Sequence, residues 1–197
     1  MNRQEIQKRT MNLEASKFQT REEEDAFLIE GYFAVFNSIY ELWDGATEEI
    51  VQGAFANTLE EDIRALVNHD TTLFLGRNKS GTLELAEDER GLFGSIKINP
   101  KDSDAVNLYE RVKRGDVSQC SFGFEILREE TEFPEDGKIH WKILEVRLHE
   151  VSVCTFPAYK ETEVEARKEQ AEQIEKRKIE AWKESMLKNL KGESDGN

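Results

Sequence analysis

Histidine and cysteine are scarce in this chain: its 197 residues include three of the first and two of the second. Cys120 and Cys154 both fall in apolar, strand-like contexts, and no Cys or His spacing of metal-binding type occurs. A disulfide framework is therefore excluded, no metal or cofactor is expected, and the thiols read as reduced core residues of a cytosolic protein. Also missing is any apolar run long enough to span a bilayer as a helix. The N-terminal "MNRQEIQKRT" lacks the apolar stretch of a signal peptide, so a soluble, non-exported protein with no membrane partner is expected. Positive charge is in deficit, with 27 Lys and Arg against 41 Asp and Glu and a net charge of -14. Such a surface repels phosphate backbones and argues against nucleic acid as a partner.

What is present is mostly strand pattern. The length suits one core plus an appendage. Residues 1–25 form a charged N-terminal segment in which "MNLEASKFQT" can pair as an edge strand. A β domain spans 26–159. It opens with "AFLIEGYFAVFNSIYEL", where Gly31 marks a bulge or bend. "GAFANTLEED" reads as a short helix or turn, "RALVNHD" as a strand, and "SGTLELAEDERGLFGSIKI" as two strands joined by a turn. The one internal helix is "DSDAVNLYERVKRGD". Asp102 or Ser103 can cap it, Ala105, Leu108, Tyr109 and Val112 recur at helical spacing, and Gly115 ends it. The strand "VSQCSFGF", a loop "REETEFPEDGK", the strand "IHWKILEVRLHEVSVCTF" and the stop "PAY" follow. The fold class is mainly β: an antiparallel barrel, closed or partly open, with a few helices.

From Lys160 to Asn197 the chain has no proline and dense mixed charge, the pattern of a long solvated helix. The tail holds nine basic and ten acidic residues, leaving 18 and 31 for the body, so the acidity belongs to the globular part. Ile179, Trp182, Met186 and Leu190 recur at three- and four-residue steps along one side. So narrow a stripe builds no core alone and points to docking, on a second copy or on a scaffold helix.

Chemistry centres on "VSQCSFGF". By strand alternation Ser118, Cys120, Phe122, Phe124 and Ile126 share an apolar face, while Gln119, Ser121, Gly123 and Glu125 share a polar one. Gly123 leaves room there for another chain to lie beside Ser121, which singles out that hydroxyl. A nucleophile needs a base, and the histidines are His69 at a strand end, His140 at a strand start, and His149. On the last strand Leu144, Val146 and Leu148 align with Glu150, so the carboxylate falls in line with an apolar stripe. Burying it alone costs several kcal/mol or more. A structural ion pair accounts for Glu150, and so does a role in orienting an imidazole.

The ordered set "EEIVQGAFANTL", "ALVNHD…LGRNKSGTLEL…ERGLFGSI", "RGDVSQCSFGFEI" and "LHEVSVCTFPAY", over roughly residues 27–160, resembles the prohead (capsid maturation) serine proteases of tailed bacteriophages. That family is similar in fold to the herpesvirus assemblins. The resemblance implies a herpesvirus-protease-like barrel and an endopeptidase that cuts scaffold or capsid segments, and itself, in the assembling prohead within the host cytoplasm. It implies Ser121 as nucleophile, His69 as base and Glu150 as the orienting acid. The herpesvirus enzymes use a second histidine as third member, which gives His149 the alternative claim. Two other readings stand beside this one. The first is a non-enzymatic capsid or scaffold-interaction protein. The second is a cysteine hydrolase using Cys120 or Cys154 with His149, disfavoured because Cys120 lies on the core face.

Overall fold

The computed structural model describes residues 6–11, 17–23, 26–134 and 138–155, together with the helical residues 167–168, 171–174, 176–177, 179–184 and 186. The chain divides into two compact units, Met1–Lys160 and Glu161–Asn197. In the first, β1 (Gln7–Met11), β10 (Gln119–Glu132), β11 (Ile139–Cys154), β5 (Ala46–Ile50) and β4 (Tyr40–Trp43) lie in that order in a seven-stranded sheet. The sheet is completed by β6 (Arg64–Val67), which pairs with β11, and β7 (Asp70–Arg77), which pairs with β6. A second sheet has the order β2 (Gln19–Glu23), β3 (Ala26–Val35), β9 (Gly91–Ile98), β8 (Leu83–Glu87).

The described strands form two sheets and close no barrel, and the larger sheet is mixed where an antiparallel one was expected. The cause lies in β11. Its sixteen residues are too many for one neighbour on the edge away from β10, so that edge is shared. β5 pairs parallel with Ile139–Ile143 and β6 pairs parallel with Glu150–Val153. Between them the turn segment 52–61 takes over: Val146 N donates to Ala54 O at 3.0 Å, and Leu148 N to the buried hydroxyl of Thr58 at 2.8 Å. No backbone donor named here is left unpaired, as burial demands.

One core cluster draws on both sheets and on the helix α1 (Ser103–Arg114), with Phe33, Phe55, Phe122, Phe124 and Tyr109 among its fully buried aromatics. α1 forms as its sequence dictates. Asp102 caps it by accepting from the N–H groups of Asp104 and Ala105, the buried residues are Ala105, Leu108, Tyr109 and Val112, and Gly115 closes it in the left-handed region. Elsewhere the pattern misleads. The irregularity expected at Gly31 falls between Tyr32 and Ala34, Gly31 itself staying in register with Gly94. The residues read as a loop from Arg128 continue β10 to Glu132, where charged pairs such as Lys142–Glu132 at 2.7 Å stabilise an exposed ladder.

β1 is an added edge: it pairs antiparallel with β10 over Gln7–Met11. Its Arg9 reaches Glu48 of β5 through two bonds of 2.5 and 2.9 Å, both side chains being buried. Residues 12–16 of the stretch expected as an edge strand, and the stop at "PAY", lie outside the described residues. In the second unit the described residues are helical, and Ile179, Trp182 and Met186 are exposed; Leu190 lies outside the described residues. Among the described residues no helix is long and apolar enough to cross a membrane.

Thr58→Val preserves shape and removes the acceptor of Leu148 N. Leaving that buried N–H unpaired is expected to destabilise the body by about 1–3 kcal/mol, read as a lower urea midpoint at unchanged slope.

Candidate active site

Next to Ser121, alternation along β11 is broken by one residue. Phe122 pairs with Val151 and Gly123 with Glu150, but Phe124 pairs with Leu148, so His149 is in excess. A bulge of this kind inverts the in-and-out order of everything beyond it. Val146 and Leu148 point into the core before the bulge, and Val151 and Val153 do so after it. Glu150 and Ser152 are thereby moved off the apolar face, where unbroken alternation put Glu150, and onto the face of Ser121 and Gly123.

His69 arrives from the other side. β6 and β7 are joined by two residues, Asn68 and His69, with φ of 51° and 60°. Both central residues are left-handed, as in the tight turn whose twist suits a two-residue hairpin. Positive φ is uncommon outside glycine, and asparagine and histidine are among the residues that tolerate it best. The turn is held from outside: Asn68 N donates to Val153 O at 3.0 Å, and Asn68 Oδ1 accepts from the backbone N–H of Thr155 at 2.9 Å. Because β6 runs parallel to β11, its last residue, Val67, stands beside Val153. The hairpin tip therefore projects past the end of the sheet, next to Ser152.

There the imidazole meets the carboxylate. His69 Nδ1 lies 2.6 Å from Glu150 Oε1. Ionised, Glu150 only accepts, so Nδ1 carries the proton and Nε2 of the neutral ring carries the lone pair. Ser152 Oγ donates to Glu150 Oε2 at 2.6 Å and accepts from the backbone N–H of His69 at 3.1 Å. Across the ladder Ser152 pairs with Ser121, and directly opposite residues keep their Cβ atoms about 5 Å apart on one face. Ser121 Oγ and His69 Nε2 are both buried and have no hydrogen-bond partner.

Two expectations about this face need correction. The face of Ser121 is polar but closed, the residue being fully buried. Gly123 offers no slot for an incoming chain either. A Cβ built on it falls 2.4 Å from Glu150 Oε1, so the missing side chain makes room for that carboxylate. Both edges of β10 at Ser121 are also occupied, by β11 and by β1, with Thr10 opposite Ser121.

The remaining candidates stand apart. His149 Nε2 lies 3.2 Å from Glu125 Oε1, without the alignment of a hydrogen bond, so Glu150 and not His149 meets the ring of His69. His140, at the far end of β11, is fixed between Thr47 Oγ1 at 2.8 Å and Glu49 at 3.3 Å. Cys120 points into the core, where its thiol donates to Tyr32 O at 3.2 Å; both cysteines are buried and neither is in a disulfide. Among the described residues no group of three or more His, Cys, Asp or Glu could hold a metal. Ser152 and Asn68 were not singled out from sequence. A serine two residues after an acid on a strand, and an Asn-X pair between two strands, were the signals available.

Comparison with known proteins agrees with the resemblance. Residues 16–177 match the family model described as caudovirus prohead serine protease. The chain is 34% identical over 145 residues to the prohead protease of Enterobacteria phage HK97, a match that covers 72% of this chain and 60% of that protein. The chain thus spans less than two thirds of that relative's length. Among solved structures, the capsid assembly protease of bacteriophage T4, gp21, aligns with a TM-score of 0.53 at 10% identity, over 79% of this chain and 100% of that one. With the matched model running through both sheets and the whole site, this chain belongs to the caudovirus prohead serine protease family.

Proposed function

We propose that this chain is a prohead-maturation serine endopeptidase in which Ser121 is the nucleophile, His69 the base and Glu150 the orienting acid. One observation carries the reading. Two buried polar atoms, Ser121 Oγ and His69 Nε2, lack partners, the second on a ring whose other nitrogen is held by Glu150, which is itself held by Ser152 opposite Ser121. Buried groups of this kind are rare and call for an explanation, and the bond between nucleophile and base is often loose before substrate binds.

The chemistry follows from the tautomer. His69 Nε2 takes the Ser121 proton as Oγ attacks the scissile carbonyl, and later returns a proton to the leaving amine. Glu150 holds Nδ1–H and stabilises the imidazolium that forms between these steps. The family and the relatives' names favour capsid or scaffold segments as substrates, along with the chain itself, cut in the assembling prohead in the host cytoplasm. The net charge of -14 favours neither nucleic acid nor a membrane surface as partner. We read the two sheets as walls of a partly open barrel of the herpesvirus-protease kind, and the apolar stripe around the exposed Trp182 as a self-association face.

Co-expression with the capsid protein of the same phage, followed by intact-mass measurement of both chains, tests the proposal. New termini are expected with the wild type and none with Ser121→Ala, whose turnover should fall about a millionfold. His69→Ala should be as inactive, and the double variant no worse, because the groups act as a unit. Glu150→Gln should lose less, about ten-thousandfold. Termini that persist in Ser121→Ala would overturn the assignment.

Gly123→Ala tests the geometry from another side. A Cβ at 2.4 Å from Glu150 Oε1 must push the carboxylate off His69, so cleavage should drop by about 100-fold or more while the chain stays folded by circular dichroism. Wild-type cleavage in that variant would mean that the Glu150 contact is dispensable.

A further inference from the structure

Ser152 is fully buried in β11, directly opposite Ser121, and both functions of its hydroxyl are committed. Its one proton goes to Glu150 Oε2 at 2.6 Å. A lone pair takes the backbone N–H of His69 at 3.1 Å. Since the proton is spent on the carboxylate and the oxygen takes the main-chain N–H of His69, with no hydrogen bond to Nε2, this hydroxyl is not a second nucleophile. We infer that Ser152 is a positioning residue, which locks Glu150 and the backbone of His69 in the one arrangement that aims the imidazole at Ser121. The inference rests on the roles proposed above for Ser121, His69 and Glu150.

Two freedoms make such a lock necessary. The last torsion of a glutamate is broad and roughly two-fold, so a carboxylate held by one oxygen alone can swing. Oε1 is held by His69; the Ser152 bond to Oε2 removes the second degree of freedom. His69 itself sits at a φ of 60°, a conformation that non-glycine residues adopt only when the surroundings enforce it. The N–H that Ser152 accepts belongs to that same residue. One hydroxyl thus restrains the backbone that carries the base and the acid that orients it. The bulge at His149 is what lets Glu150 and Ser152, two residues apart, share the face on which this can happen.

The test compares full-length Ser152→Ala, Ser152→Thr and Ser152→Cys with Ser121→Ala and His69→Ala. Cleavage of the co-purified capsid protein is followed by mass spectrometry, and the imidazole N–H protons by NMR on histidine-labelled chain. Ser152→Ala should lower kcat by about 10- to 100-fold with little change in KM, and should shift or broaden the Nδ1–H signal of His69. Ser152→Thr, which keeps the hydroxyl, should recover most of both. In a Glu150→Gln background, Ser152→Ala should cost clearly less than it does alone, because the contact to the carboxylate is already altered and the hold on the His69 N–H is what remains to lose; a full independent loss there would overturn the inference. So would wild-type turnover and an unmoved imidazole signal in Ser152→Ala, with Ser121→Ala and His69→Ala inactive. If Ser152→Ala does not fold, the Thr and Cys variants decide: Thr fast and Cys slow supports the inference, equal rates overturn it. Cleavage persisting in Ser121→Ala or His69→Ala would instead refute the underlying assignment, and the NMR comparison would still report whether Ser152 restrains His69.

Discussion

Everything chemical in this structure hangs on β11 having one residue more than its neighbour. Were β10 and β11 paired without interruption, Glu150 would point to the side of Phe122 and Phe124, into a core of aromatic rings, where a carboxylate costs several kcal/mol or more. His149 absorbs the mismatch, and the two residues after it with polar side chains, Glu150 and Ser152, come out beside Ser121. The bulge is not left to float. Leu148 N, at its start, is anchored on Thr58, and parallel pairing with β6 resumes at Glu150. An element that alters the facing of a strand is thus pinned on both sides, which is why the altered facing is a fixed property of the fold.

From that point the site is assembled by mutual constraint among a few atoms. The Glu150 carboxylate fills the volume that Gly123 vacates, and its two oxygens are divided between an imidazole and a hydroxyl. Each partner comes from a different place in the chain: Gly123 from β10, His69 from the β6–β7 turn, Ser152 from β11. Cross-links of this kind hold a group to the tolerance that proton transfer requires, a fraction of an ångström, better than any single loop could.

The parts legible in the sequence are those governed by local rules. Helix α1 could be read to its cap and its stop because Asp102, the apolar stripe and Gly115 all act within one or two turns. The core face of β10 followed from alternation, since Cys120, Phe122 and Phe124 precede any irregularity in that strand. Ser121, His69 and Glu150 were named through resemblance, and the structure brings His69 to Glu150. What alternation could not supply was the inversion at His149, because a bulge is fixed by pairing with another strand and leaves no periodicity of its own. Glu150 in line with leucines was the trace it did leave. The parallel additions of β5 and β6 were equally hidden, since they join residues about ninety positions apart and depend on the length of β11 rather than on any motif.

The placement of β1 has a thermodynamic consequence. Its backbone occupies the outer edge of β10 alongside Cys120–Phe124, it begins ahead of the residues matched by the family model, and Arg9 anchors it to Glu48 in a buried fork. Any extended chain that pairs with β10 at Ser121 does so by strand exchange. Its apparent affinity is the intrinsic one reduced by the fraction of molecules in which β1 has already left. The ion pair that tethers β1 therefore sets, from the opposite side of the strand, how strongly that edge of Ser121 can be engaged.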